Sequence, residues 1–174
     1  MPMDERLLPF LGRRSVRQYR RGAIPDEILH DILKVAMSAP SAHERDPWHF
    51  VAIRDPGTLR RLAEGLPNGR MLASAAAAIA VCGDLRRAHR QQLSYLLQDC
   101  SAAMQNILLA VAAIGLGGCW VGVHPSIERI GHVGHVLAVA DGIIPIAVAA
   151  IGHPLEPPVP RTRFRRERVH WGIW

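Results

Sequence analysis

The residues best suited to chemistry lie near the N-terminus, where three arginines and a serine fall within five positions: Arg13, Arg14, Ser15 and Arg17. Guanidinium groups bind phosphate oxygens bidentately, and a serine hydroxyl adds a further hydrogen bond. The segment is therefore suited to holding a phosphate group. The alternative is plain solvated surface, which is where most charged side chains are found.

The composition indicates a globular protein. Hydrophobic residues make up 49% of the 174 residues and charged residues 21%, so the chain can bury a core, and we expect a single domain over residues 1–174. The net charge of +6 comes almost entirely from arginine, since Lys34 is the only lysine. Aromatic residues are scarce and do not alternate with basic ones, so nucleic-acid binding is not favoured.

The cysteines and the apolar stretches predict a cytoplasmic protein without a membrane span. Cys82, Cys100 and Cys119 are odd in number and lack CxxC spacing, which favours reduced, buried thiols. The N-terminal residues 1–6 lack the pattern of a signal peptide. Residues 71–83 are too short to span a bilayer, and glycines divide residues 107–123 into a helix end and a loop.

Hydrophobic periodicity predicts helices and strands in no strict alternation, which favours an α+β fold or a mixed sheet. We expect helices over Pro25–Ala39, Thr58–Leu66, Gln91–Ile114 and Ser126–Ala138, and strands over Trp48–Arg54 and Ile143–Ile151. Residues 75–82 fit a helix of small residues that passes into a strand, with no boundary fixed between the two. Residues 107–114 are apolar all round, so they face a large core or a partner chain. The tail ends with Trp171 and Trp174, which predicts that it packs on something, such as another subunit.

Several segments, taken in order, resemble the nitroreductase family of FMN-dependent oxidoreductases. They are Arg13–Arg17, Ala39–Phe50, Gln98–Leu109, Gly115–Val123, Ile151–Pro154 leading to Arg161–Phe164, and Arg168–Trp171. The resemblance covers nearly the whole chain. It implies an α+β homodimer, with a mixed central sheet flanked by helices, an extended C-terminal tail, and two FMN sites that are each built from both subunits.

The resemblance also implies roles for individual residues. In the family, the arginine turn and a late arginine hold the phosphate and ribityl chain of FMN; here these are Arg13, Arg14, Ser15 and Arg163, with Arg161 as a neighbour. Arg17 would lie near the pyrimidine edge, where its charge stabilises the anionic reduced flavin. Two further segments would pack along the flavin ring: Pro40, Ser41, Ala42, His43 and Glu44, and Trp120, Val121 and Gly122.

The chain departs from the family pattern at two positions. Glu44 and Asp46 stand where the family usually has amides. A carboxylate only accepts hydrogen bonds, whereas an amide also donates them. Glu44 is suited either to accept from the flavin N3–H or to pair with Arg45 or Arg17. A negative charge beside the ring should lower the flavin potential.

The resemblance therefore predicts an enzyme that uses NAD(P)H to reduce a small acceptor, such as a nitroaromatic or a quinone, in a ping-pong reaction without a covalent protein nucleophile. One alternative is a flavin- or deazaflavin-binding module of the same fold that does not turn over. The other is a basic nucleic-acid-binding protein, which the charge alone suggests, with residues 161–168 as its patch. No metal site is expected, because His132 and His135 lack a nearby third ligand.

Overall fold

A computed structural model describes residues 3–174. Met1 and Pro2, which belong to the N-terminal segment considered above, lie outside the described residues. Within residues 3–174 the helices are α1 (Leu8–Gly12), α2 (Asp26–Met37), α3 (Pro56–Glu64), α4 (Leu93–Ala113) and α5 (Ile127–Leu137). The strands are β1 (Tyr19–Arg20), β2 (Trp48–Ile53), β3 (Ala77–Asp84), β4 (Gly117–Gly122) and β5 (Ile143–Pro154). Short 3-10 turns cover Glu5–Leu7, Ala42–Glu44, Pro67–Ser74, His89–Gln91 and Arg166–Arg168.

Strand β5 organises the sheet, because it pairs with β1, β3 and β4, while β2 pairs with β3. Every one of these strand pairs is antiparallel. The parallel component expected of a mixed sheet is reduced, in the described part of the chain, to one isolated bridge between Ser15 and Gly118. The fold is therefore α+β with an antiparallel sheet.

The sheet separates two hydrophobic cores. Side chains alternate between the faces of a strand, so Ile79 and Val81 of β3 pack with α2 and α4, while Ala80 and Cys82 pack with α3 and α5. Helix α4 is long and apolar enough to cross a membrane by length and composition alone. In this fold its residues Leu96, Met104 and Ile107 are fully buried in the core.

Most of the predicted elements are confirmed within a few residues of their expected ends, including α2, α3, α4, α5, β2 and β5. Of the helix and strand expected over residues 75–82, the strand is confirmed from Ala77 onward, and the predicted helix is wrong. The predicted loop after α4 is wrong, because Gly117–Gly122 forms strand β4. A Cβ on Gly117 would lie 2.7 Å from Val16 Cγ1, so its glycine serves close packing and does not mark a break in the secondary structure.

The C-terminal tail runs over the surface of its own chain. Leu155 N–H donates to Gln18 O at 3.0 Å, and Arg161 N–H donates to Leu11 O at 3.3 Å. Beyond these contacts the tail stays exposed, with Trp171 at 90% and Trp174 at 99% of full exposure. Within residues 3–174, the Trp174 ring lies against the His170 ring of the tail itself, with centroids 4.2 Å apart, and neither tryptophan is buried.

Candidate cofactor site

The arginine turn (residues 13–17) is held against the sheet edge. It joins α1 to β1, and Val16 N–H donates to Gly118 O of β4 at 2.9 Å. Ser15 and Gly118 form the isolated parallel bridge. Because glycine at position 117 leaves room for Val16, the turn lies close to the backbone of β4.

The cations of this turn are available to a ligand. Within residues 3–174, Arg13, Arg14 and Arg17 form no ion pair. Arg14 donates one N–H to Val159 O at 2.9 Å, which leaves its other donors free. Burial raises the pKa of the Cys119 thiol, and the nearby charges of Arg17 and Arg13 act in the opposite direction. The charges of Arg17 and Arg13 therefore reach Cys119 in the middle of β4.

Strand β4 lies at the edge of the sheet, with β5 on one side and the arginine turn on the other. Since Gly118 O points outward to Val16, strand alternation directs the backbone groups of Trp120 and Gly122 to the same open edge. Arg129 Nη1 donates to Gly122 O at 3.4 Å there, and the Trp120 side chain is 37% exposed. Val121 differs from both, because its side chain is 1% exposed and packs in the core. Its expected contact with the flavin ring is therefore not made through its side chain.

The second predicted segment, Pro40–Glu44, lies over α4. Asp99 Oδ1 of α4 accepts from Ala42 N–H at 3.0 Å. Ser41 Oγ donates to Asp46 Oδ1 at 2.6 Å and accepts from Asp46 N–H at 3.0 Å. The two hydrogen bonds between Asp46 and Ser41 close the loop over residues 41–46, which gives a structural reason for a carboxylate at position 46.

His43 and Glu44 adopt left-handed backbone conformations, with φ of 56° and 53°. The His43 ring stacks on His89 with centroids 4.0 Å apart, and His89 in turn contacts the edge of Tyr95. Desolvation lowers the pKa of His89, and the neighbouring His43 adds to this effect. Glu44 forms no ion pair among residues 3–174, so its expected pairing with Arg45 or Arg17 is not seen there.

The predicted residues therefore form two groups. The arginine turn meets the β4 edge, and Arg161 joins it through its backbone contact with Leu11. The Pro40–Glu44 segment meets α4 at Asp99, nine residues from Leu108, which packs beside Gly118. Nine residues of α-helix span roughly 14 Å. Arg163 makes no hydrogen bond to either group within the described chain.

Sequence reasoning missed Asp99 as part of the site. Its side chain is 4% exposed, and Oδ2 has no hydrogen-bond partner in the described chain. Burial raises its pKa. The sequence does contain a signal for Asp99, because a charged residue three positions after Leu96 falls on the apolar face of the longest helix.

No group of three or more His, Cys, Asp or Glu side chains is placed to hold a metal ion among residues 3–174. His132 lies against α3, with Nε2 2.9 Å from Arg61 O.

Comparison with known proteins places the chain in one class, the oxidoreductases related to nitroreductases. The model of the "Nitroreductase family" matches residues 11–68 and 63–153. A protein of Archaeoglobus fulgidus, provisionally named an NADH dehydrogenase/NAD(P)H nitroreductase, is 38% identical over 99% of this chain and 100% of its own. A crystal structure from Bacteroides thetaiotaomicron, with the same provisional name, is 34% identical, with a TM-score of 0.92 over 99% of this chain and 100% of its own. A nitroreductase-like protein from Desulfovibrio desulfuricans, solved in complex with FMN, is 28% identical, with a TM-score of 0.83 over 99% of each chain.

The chain therefore belongs to the nitroreductase family and is an oxidoreductase of that family, whose cofactor is FMN.

Proposed function

We propose that the protein binds FMN at the arginine turn and catalyses the reduction of a small acceptor, a nitroaromatic or a quinone, by NAD(P)H in two successive half-reactions. The observation that carries this proposal is a set of cations beside the open edge of β4, Arg13, Arg14 and Arg17, which form no ion pair within residues 3–174. The three free, buried cysteines support the expected cytoplasmic location.

The residues at the turn fit a phosphorylated flavin. Arg13, Arg14 and the exposed hydroxyl of Ser15 would hold the phosphate through charge-assisted hydrogen bonds. Arg163 would add a further cation, with Arg161 placed nearby by its bond to Leu11. Bound FMN would supply the redox chemistry, which is hydride transfer from NAD(P)H to the acceptor.

Arg17 is the residue that favours reduction. Its side chain is exposed and forms no ion pair within the described chain, and its charge acts on Cys119 of β4. A fixed cation there would stabilise negative charge at the pyrimidine edge without reorganising at the moment of reaction. The Pro40–Glu44 segment, with its left-handed turn at His43 and Glu44, would pack along the flavin ring.

We further propose that the site is completed by a second copy of the chain. The arginine turn and the Pro40–Glu44 segment lie roughly 14 Å apart along α4. Beside the turn, an apolar cleft of about 590 Å³ lies between α1 and the end of α4, lined by Phe10, Leu109 and Leu116 among others. Phe10 and Ile114 are 56% and 51% exposed. Exposed apolar surface of this kind is typical of a subunit interface.

The second candidate function is a flavin-binding module without turnover. It is favoured by Glu44, whose exposed carboxylate stands where the family has an amide that can also donate.

The test is an absorbance spectrum of the purified protein after incubation with FMN, followed by anaerobic addition of NADH or NADPH. Flavin bands that bleach with either donor are expected for the reductase. Bound flavin that neither donor bleaches, but that dithionite does, would favour the module. A protein that takes up no FMN would overturn both functions.

A further inference from the structure

A second cavity, of about 630 Å³, lies beside the Pro40–Glu44 segment and is rich in arginine. We call it the arginine cavity, and its lining consists of Glu44, Arg45, Arg86, Arg87, Ala88, Arg90 and Gln91. Its size falls within the range of small-molecule sites.

The turn that follows β3 gathers these arginines. Asp84 ends β3, and its carboxylate accepts from Arg86 Nε and Nη2 at 2.9 and 3.0 Å. The Asp84 carbonyl accepts from Arg87 N–H at 3.1 Å. Arg90 then adopts a left-handed conformation, with a φ of 51°, and this turns the chain toward α4.

The stacking of His43 on His89 positions the second wall of the cavity, which Glu44 and Arg45 form. His89 lies between Ala88 and Arg90, and its ring stacks on His43. The stack holds residues 44 and 45 next to the turn, so that Arg45 meets Arg87 and Arg90 around one cavity.

The cavity carries an unbalanced positive charge. Arg86 is paired with Asp84. Arg45, Arg87 and Arg90 are exposed and form no ion pair within residues 3–174. Glu44 is the single carboxylate on the wall. Like charges gathered in this way repel one another, and a bound anion would remove the repulsion.

We propose that the arginine cavity binds a phosphate group of the nicotinamide dinucleotide donor. The proposal rests on the proposed function, because Glu44 belongs both to this cavity and to the segment assigned to the flavin. A donor whose nicotinamide reaches the flavin would extend its phosphates toward the neighbouring wall. Guanidinium groups are suited to either source of phosphate, the 2′-phosphate of NADPH or the pyrophosphate that NADH and NADPH share.

The test compares the double variant Arg87→Gln/Arg90→Gln with a control, Arg60→Gln/Arg70→Gln, whose side chains are exposed and lie outside the cavity. Glutamine carries a Cβ, as arginine does, so the backbone strain of the left-handed conformation at position 90 stays the same in the variant. Two readouts are used: KM for each donor, and the Kd of adenosine 2′,5′-bisphosphate and of ADP-ribose, which require no turnover.

The double variant should raise KM for NADPH at least tenfold, and the control should not. If the 2′-phosphate is bound, KM for NADH stays unchanged and only adenosine 2′,5′-bisphosphate binds more weakly. If the pyrophosphate is bound, KM for both donors rises and ADP-ribose binds more weakly. Values within twofold of the wild type for both donors and both probes, or equal losses in the control, would overturn the proposal.

Different measurements test the proposed function and the role of the arginine cavity. FMN content and bleaching by a donor test the proposed function. A wild-type protein that binds FMN and bleaches, with an insensitive double variant, would leave the function in place and reject the cavity. A protein that binds no FMN would reject the function, and with it the cavity's role in donor binding.

Discussion

Asp99 Oδ1 accepts a hydrogen bond from the Ala42 N–H at 3.0 Å, while Asp99 Oδ2 has no partner within residues 3–174. One buried carboxylate therefore ties the middle of the longest helix to the segment that we assign to the flavin. Burying a carboxylate oxygen without a hydrogen-bond partner costs free energy. Here Asp99 fixes the start of the left-handed turn at His43 and Glu44.

Replacing Asp99 should loosen this segment. Asp99→Ala leaves the Ala42 N–H without its acceptor, and we expect a loss of about 1–3 kcal/mol in the free energy of unfolding. Asp99→Asn keeps an oxygen acceptor and should retain most of that bond. Urea unfolding of the two variants measures the difference, and equal stability of both would show that the bond to Ala42 contributes nothing.

The same residue predicts a pH dependence. Burial raises the pKa of Asp99 above its ordinary value of 3.8, so the protonated form is favoured in the folded state. Its contribution to stability is thus complete below pH 3.8 and is lost as the pH rises through the raised folded pKa. Asp99→Asn cannot titrate, so its stability relative to the wild type should improve from pH 3 to pH 7. A constant gap between the two over that range would contradict this assignment.

Gly117→Ala should displace the arginine turn. The new Cβ would lie 2.7 Å from Val16 Cγ1 and 2.8 Å from Val16 Cβ. Valine is stiff at χ1, so we expect a cost of about 1–3 kcal/mol together with weaker FMN binding. Adding Val16→Gly, which removes both contacting Val16 atoms, should restore FMN binding, whereas Val16→Ala keeps the Cβ contact and should restore it only in part.

The matched control for that change is Gly131→Ala on α5, where a Cβ meets nothing within 4 Å. It should stabilise the helix by about 0.5–1 kcal/mol and leave FMN binding unchanged. If Gly117→Ala behaves like this control, the close contact with Val16 does not hold the turn.

The helices were predictable because their signals are local. The apolar spacing in α2 and α4 and the serine before α5 need no knowledge of distant residues; Ser126 Oγ does accept from Arg129 N–H at 3.3 Å. Strand β4 was not predictable in this way. Its glycines resemble a loop until Val16, a hundred residues earlier in the chain, is known to pack on Gly117.

The candidate site likewise has one part that the sequence predicts and another part that only the structure reveals. Residue types alone indicated the arginine turn, because a dense cluster of cations suits phosphate wherever it lies. The role of Asp46 needed the structure, since only the fold shows its carboxylate closing a loop with Ser41. The arginine cavity was not predictable from the sequence either, because Arg45 lies 42 positions before Arg87 and the stack of His43 on His89 brings the two together.

The phosphate assignment predicts that single arginine changes release FMN. Arg13→Ala and Arg163→Ala should each remove a charge-assisted bond of about 1.5–3 kcal/mol, which weakens binding roughly 10- to 150-fold. Neither residue forms an ion pair in the described chain, so folding should be unaffected. Quenching of FMN fluorescence gives the dissociation constants, with Arg60→Ala as the control. Full flavin content in both variants would mean that the phosphate lies elsewhere.

The three cysteines should be inert in the folded protein. Burial raises the pKa of Cys82 to about 11 and that of Cys100 to about 12, and it also raises the pKa of Cys119. Since the thiolate is the reactive form, a disulfide reagent at pH 8 should react with none of them quickly and with all three in guanidinium chloride. Cys119 should react first during partial unfolding, because Arg17 and Arg13 favour its thiolate. Rapid labelling of Cys82 or Cys100 in the native protein would contradict their burial.

Glu44 allows charge and backbone effects at the flavin segment to be separated. Its φ of 53° lies in the left-handed region, which asparagine tolerates better than glutamate or glutamine. Glu44→Asn should therefore be more stable than Glu44→Gln, by about 0.5–1 kcal/mol. Both variants remove the negative charge, so both should raise the potential of bound FMN by roughly 10–20 mV, the equivalent of one exposed charge interaction. Redox titration against a reference dye measures the potential, and thermal unfolding measures the stability. If the potential and the FMN affinity match those of the wild type in both variants, Glu44 does not lie beside the flavin. Its carboxylate then lines only the arginine cavity.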